Sequence, residues 1–224
     1  CMTLDTLPRR ALYQDVADAL RQQIFAGQLN PGDWLDESRL TQDLGISRTP
    51  LREAIKLLAA EGLVTMKLRR GAYVTETSER DLREVYHLLA LLEADAAATV
   101  AQTATATELA GLQALHRQLS QASNDQETFF RINEAFHTRV LDIANNRWRN
   151  QLVADLRKVM KLNRHHSLLR SGRLRESLAE HQAIVDALMA RDPSQATQAV
   201  QTHFANGLRA AQPTVQTSGS ALAA

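Results

Sequence analysis

Three histidines, His137, His181 and His203, each fall on the apolar stripe of a separate helical stretch. Neutral imidazoles converging from three helices are a ligand set for a divalent metal ion, zinc or nickel, with an oxygen donor beside them. Asn133 lies four residues before His137, on the same helical face, and carries such an oxygen. On spacing alone the plainer reading is three core histidines, each hydrogen-bonded separately. Intervals of 44 and 22 residues match no general metal motif. His87, His116, His165 and His166 read as surface or edge residues.

A second chemistry sits earlier in the chain. Arg48, Arg52 and Lys56 step along one helical face at i, i+4 and i+8, while Leu51, Ile55 and Leu58 line another. Between Ser47 and Thr75 six basic residues face two acidic ones, whereas the whole chain carries a net charge of only +1. The positive potential is therefore local. An Arg-bearing helix N-terminus suits the major groove of DNA, where a guanidinium can pair with guanine O6 and N7. Ser47, Thr49 and the basic hairpin tip Arg69-Arg70-Gly71 can hold phosphates and set register.

The elements that must position these groups follow from the pattern. Leu12, Val16, Leu20 and Ile24 recur every four residues, a helix that Gly27 can end. Asn30-Pro31-Gly32-Asp33 is a turn, and Trp34-Leu35 a short strand. Asp36 N-caps a second helix stopped at Gly45, and Ser47 caps a third ended by Gly62. Two short helices joined this way make a helix-turn-helix. Leu63–Lys67 and Ala72–Thr75 read as the strands of the basic hairpin, completing a winged helix expected to fold on its own core. Thr75 to Ser78 is a polar junction, and Ser78 with Asp81 makes a helix-start signal.

Beyond it, six helical stretches are expected. Their stripes are Leu82/Val85/Leu88/Leu89/Leu92, Leu109/Leu112/Leu115/Leu119, Phe129/Ile132/Phe136/Val140, Leu152/Leu156/Val159/Asn163, Leu174/Leu178/His181/Val185/Leu188 and Val200/His203/Gly207. Asp192-Pro193 opens the last, with Pro where a helix tolerates it. The fold class is mainly α, with an N-terminal winged helix-turn-helix domain over 1–76 and an antiparallel all-α bundle over 77–211. Residues 212–224, small and polar, read as a disordered tail.

Composition agrees. Ala and Leu supply 67 of 224 residues, and Gly and Pro together only 14, so helices dominate. With 44% hydrophobic and 23% charged residues, disorder and collagen are excluded. No apolar run approaches the roughly 18–20 residues of a membrane helix. Asp5, Arg9 and Arg10 interrupt anything resembling a signal peptide. The single cysteine, Cys1, permits no intramolecular disulfide, which suits a reducing cytoplasm.

The order and spacing of several runs carry a resemblance. Tyr13 to Arg21, Leu29 to Gly32, Gly45 to Ala54, Glu61 to Val64 and Arg70 to Val74 strongly resemble the GntR family of bacterial transcription regulators. That likeness implies that Arg48, Thr49 and Arg52 contact operator DNA, with Gly71 at a wing tip entering the minor groove. Asn133 to His137, Glu180 to Ile184 and His203-Phe204 look like the FCD effector domain of the FadR subfamily. It implies a metal held by Asn133, His137, His181 and His203, forming the floor below a small organic acid. Asn133 stands where many members carry Asp. Glu93 matches a Glu of the first effector helix, but Leu89 stands where many carry an Arg that pairs with the ligand. Asn163 and Arg164 are the substitutes expected to contact the effector.

The expected function is that of a cytoplasmic, ligand-responsive regulator, a homodimeric repressor on operator double-stranded DNA rather than an enzyme. Two rivals bear on it. A metal-dependent hydrolase would use the histidines to activate water, with Glu134 or Glu180 as base. A purely architectural nucleic-acid binder would have a bundle without a cavity.

Overall fold

A computed structural model describes residues 11–168 and 170–212, except the side chains of residues 164–166. Among the described residues the order is α1 (Leu12–Phe25), α2 (Glu37–Leu44), α3 (Arg48–Ala60), β1 (Val64–Lys67), β2 (Gly71–Val74), α4 (Glu79–Thr103), α5 (Ala106–Gln121), α6 (Gln126–Ile143), α7 (Arg147–Leu168), α8 (Arg173–Met189) and α9 (Pro193–Ala211). The chain forms two compact units. Among the described residues one holds 11–85 with 147–166, and the other holds 86–146 with those from 167 to 212.

In the first unit, α1, α2 and β1 all pack on α3. Its core gathers Val16, Leu20 and Ile24 of α1, Leu51, Ile55 and Leu58 of α3, and Leu63 and Val74 of the hairpin. Each fully buried Leu or Ile contributes about 2 kcal/mol through apolar area removed from water. Leu12, the first residue of the expected stripe, is exposed instead. Asp36 caps α2 by accepting from the Ser38 and Arg39 amides at 2.9 and 3.2 Å. Gly45 ends it with φ +63°. Ser47 is the N-cap residue of α3, but its side chain makes no capping hydrogen bond, contrary to the expectation. β1 and β2 pair antiparallel, Val64 opposite Val74 and Lys67 opposite Gly71, and Trp34 bridges Tyr73.

The unit has one member that the sequence division did not anticipate. Leu162 of α7 is buried in the winged-helix core. Glu61, at the end of α3, accepts from Arg21 Nε at 3.0 Å and from Lys161 Nζ at 2.8 Å. Gly62 has φ +80°, and a Cβ there would lie 2.3 Å from the Lys158 carbonyl oxygen. So the winged helix does not close on its own residues alone; α7 completes it. The expected stripe of α7 is also out of phase. Leu152 and Val159 are exposed, and Val153, Arg157 and Met160 are buried. The buried set keeps helical spacing but is displaced by about one residue, because Arg157 occupies a place where an apolar residue was sought.

In the second unit α8 packs on α9 and α5, and α5 on α6. Short joints at 122–125 and 190–192 make consecutive helices antiparallel. Thr105 and Glu108 form a reciprocal capping box on α5, and Asp192 caps α9 ahead of Pro193. Leu119, Phe129, Ile132 and Leu168 share one apolar cluster. His116 is buried rather than at the surface, its Nε2 lying 3.4 Å from the Leu178 carbonyl oxygen. Leu88 is exposed, leaving Leu89 on the buried side of α4. No helix among the described residues is long and apolar enough to cross a membrane. The expected disordered tail lies, from residue 213, outside the described residues.

Candidate functional site

The first candidate surface is α3 with the hairpin. Arg48, Thr49 and Arg52 are exposed at the N-terminal half of α3, on the face opposite Leu51 and Ile55. The Arg52 Nε donates to Glu37 Oε2 of α2 at 2.8 Å, which fixes the guanidinium plane while leaving its other N–H groups unspent. Lys56 is held by Glu53. Ser47, with no capping bond to make, presents its hydroxyl beside Arg48. Arg69, at φ +59°, and Arg70 form the exposed hairpin tip. Gly71 has φ +92°, and a Cβ would lie 3.0 Å from Trp34 Nε1, so both conformation and space require glycine. Lys67 sits over the Tyr73 ring at 4.3 Å, a cation–π contact that holds it at the wing. The structure thus brings Ser47, Arg48, Thr49 and Arg52 onto one helix N-terminus, and Arg69, Arg70 and Gly71 onto one turn.

The second candidate site is inside the bundle. One ring nitrogen from each of His137, His181 and His203 lies within 4.8 Å of those of the other two, and all three residues are buried. Helix α6 supplies His137, α8 supplies His181 and α9 supplies His203. Phe136 packs edge-on against the His181 ring and Phe204 against that of His137.

The outward nitrogens of all three rings are taken. His181 Nδ1 is 2.7 Å from the Ser177 carbonyl oxygen, which can only accept, so Nδ1 carries the proton. His137 Nδ1 is 2.7 Å from Glu93 Oε2, and His203 Nδ1 is 2.7 Å from Glu180 Oε2. With Nδ1 directed at an acceptor in each ring, Nε2 is the nitrogen that each histidine turns to the interior of the cluster. The His137 and His181 Nε2 atoms lie 3.3 Å apart. A proton or a metal ion shared between them can occupy this gap. Two nitrogens bound to one tetrahedral zinc ion are separated by about 3.4 Å. Asn133 is buried one turn before His137, and its Oδ1 has no hydrogen-bond partner among the described residues. A buried acceptor without a partner costs about 1–3 kcal/mol. Three buried imidazoles are a donor set that fits a divalent metal, and Asn133 on the same face of α6 carries an oxygen of the kind that completes it.

Burial first, then the neighbouring His203 and His137, hold the His181 pKa well below the usual histidine range, keeping its lone pair available at neutral pH. Burial would raise Glu180, but hydrogen bonds from Arg173 and His203 outweigh it and hold the carboxyl at about 2. The Arg173 NH1 and NH2 groups donate to the two Glu180 oxygens at 2.7 and 2.8 Å, and Asn206 adds a third donor at 2.8 Å. A carboxylate so neutralised is a poor general base.

Sequence reasoning named Glu93 and Glu180 but gave neither the role of backing a histidine, and it did not find Arg173, Ser177 or Asn206. Glu93 was legible through the resemblance and as a charge on the buried stripe of Leu89, Ala96 and Val100; Arg173 gave no signal. Of the expected effector contacts, Asn163 is half-buried on α7, in the first unit rather than in that of the histidines. The Arg164 side chain lies outside the described residues.

Comparison with known proteins covers both units. Residues 12–74 match the bacterial regulatory proteins of the gntR family, and residues 84–206 match the FCD domain. The chain is 28% identical over 196 residues to the HTH-type transcriptional regulator YdhC of Bacillus subtilis, covering 86% of this chain and 87% of that one. It is 29% identical over 209 residues to the probable D-xylose utilization operon transcriptional repressor of Paenarthrobacter nicotinovorans, covering 91% and 90%. Among solved structures, E. coli McbR/YncC matches with a TM-score of 0.69 at 25% identity, over 91% of this chain and 98% of that one.

Proposed function

We propose a metal-dependent, ligand-released repressor as the function of this chain, which belongs to the gntR family of bacterial regulatory proteins and carries an FCD domain. Its relatives are transcriptional regulators, not enzymes. Of the two bases named for the hydrolase alternative, Glu180 is spent on Arg173 and His203, and Glu134 is not among the residues gathered at the histidines. Repression is supported by named relatives, among them the E. coli repressor RspR at 27% identity and the D-xylose operon repressor.

The single observation that carries the sensing half is the convergence of three buried imidazoles, with the unpartnered Asn133 Oδ1 one turn before His137 as support. In this reading Asn133, His137, His181 and His203 hold zinc or nickel. Glu93, Ser177 and Glu180 fix the tautomer and aim of each ring. When bound, the metal supplies a positive floor that attracts a small organic acid. Asn163 and Arg164 are proposed as effector contacts on α7, next to Leu162 of the winged-helix core. A ligand that biases α7 would bias the packing of α3, and so the population competent to bind operator.

Assembly as a homodimer in the cytoplasm completes the reading. Trp148, Leu152 and Val159 form an exposed apolar row on α7, and Leu88 and Leu91 another on α4. Such rows favour a self-complementary interface. A dimer would present two α3 helices to the half-sites of a palindrome. The test is operator binding followed by fluorescence anisotropy. Operator selected from random DNA should be released by at least one acid from a panel of small carboxylates, and only by metal-loaded protein. Release that is identical after metal removal would overturn the proposal.

A further inference from the structure

A cavity of about 630 Å³ opens beside α8 and α9 and is lined by Arg170, Arg173, Arg209, Asn206, Glu176 and Glu180. None of the three histidines lines it, while Glu180 and its donors Arg173 and Asn206 belong to both networks. Three guanidiniums meet two carboxylates there. Glu180 is already committed to Arg173, His203 and Asn206, and the Glu176 side chain is largely exposed. Arg170 donates from NH1 to the Arg209 and Ala210 carbonyl oxygens at 2.9 and 3.1 Å, and Arg209 donates to Asn206. Neither Arg170 nor Arg209 has a carboxylate partner among the described residues. Arg173 gives NH1 and NH2 to Glu180 while forming part of the cavity wall, and is itself only 4% exposed. The result is a concave site with uncompensated positive charge, of a size that admits a small molecule.

We propose that this cavity binds a small oxyanion, gripped by Arg170 and Arg209, with Arg173 as a fixed wall. Guanidinium forks match the oxygens of phosphate and carboxylate, and charge-assisted bonds are about twice as strong as neutral ones. Carbonyl bonds already position Arg170, so less side-chain entropy is lost when an anion arrives. This goes beyond the metal-floored effector site and does not depend on it.

The test titrates the full chain, carrying its metal, with inorganic phosphate and separately with malonate, following heat in chloride buffer. About one anion per chain is expected. The double variant Arg170→Ala/Arg209→Ala should weaken binding at least about tenfold. Its thermal midpoint without anion should fall only slightly, through the lost bonds to the α9 carbonyls and Asn206, and the anion should no longer raise it. Binding of phosphate alone identifies a phosphoryl ligand; binding of malonate alone identifies a carboxylate. Undiminished binding in the double variant, or no heat with either probe up to about 10 mM, overturns the proposal. Metal content measured on the same samples separates the two readings: a wild type without metal contradicts the histidine site and leaves the anion result standing.

Discussion

In the first unit Arg48, Thr49 and Arg52 stand exposed on α3, while in the second Asn133, His137, His181 and His203 are all buried. The two regions spend polar groups in opposite ways. A surface that meets a highly charged polymer needs unspent cations in water, where desolvation costs little until binding. A site that holds one ion needs its donors dry, aimed and free of competing protons, so each ring is backed by an acceptor. The first arrangement costs the fold little. The second gathers three imidazoles and an amide oxygen without a partner among the described residues into a dry interior, where burying polar groups is costly.

The sharpest way to break this comparison is at Gly62, where α7 joins the winged helix. Gly62→Ala adds a Cβ against the Lys158 carbonyl at a strained φ of +80°. We expect a loss of about 3 kcal/mol or more in thermal unfolding. Gly45→Ala, at φ +63° with nothing within 4 Å of its Cβ, should cost only about 1 kcal/mol. Equal effects would mean that α7 does not complete the first unit.

Next in size are the DNA contacts. Arg48→Ala and Arg52→Ala should each lose roughly 1–3 kcal/mol of sequence-specific binding, measured against scrambled DNA. Arg70→Ala should weaken all sequences alike and flatten the salt slope by about one unit. Operator affinity unchanged in both helix variants would remove α3 from the interface.

The smallest effects lie in pH. Glu61 is pushed below its ordinary value of 4.5; burial opposes the shift, and Arg21 and Lys161 outweigh it. Its contribution is complete above about pH 4.5 and is lost as pH falls through the lower folded value. His181, depressed by burial, takes up a proton in the unfolded chain near pH 6.5 but not in the metal-free folded one. The unfolded state then binds more protons, so stability falls from about pH 6.5 downward. Hydrogen exchange of metal-free protein should therefore loosen α8 at a higher pH than α3. Simultaneous loosening would contradict the separate origins.

What could be read from the chain follows from the same contrast. The helix-turn-helix was legible because caps, glycines and the Arg48/Arg52/Lys56 row are local signals, short in sequence. Asp36 and Gly45 bound α2 as their chemistry dictates. The phase of α7 was misread because Leu152 and Val159 are apolar yet exposed, and Arg157 is charged yet buried. Apolar spacing cannot tell a core face from an interface face. His116 escaped for a related reason: the Leu178 carbonyl that receives it is 62 residues away. The histidine cluster was placed on inward stripes, but only the resemblance joined the three into one set. Glu93 and Arg173, which support it, answer to partners on other turns and other helices.

The central claim is that three imidazoles and an amide oxygen form one metal site. Elemental analysis of protein stripped, reloaded with zinc or nickel and desalted tests it most directly. The account predicts about one ion per chain, released by acid as the ligand imidazoles take up protons, and none in His181→Ala. Chelation should lower the thermal midpoint of the wild type and leave that of the variant unchanged. Wild-type protein that takes up no ion after reloading, or His181→Ala that keeps a full equivalent, would contradict it.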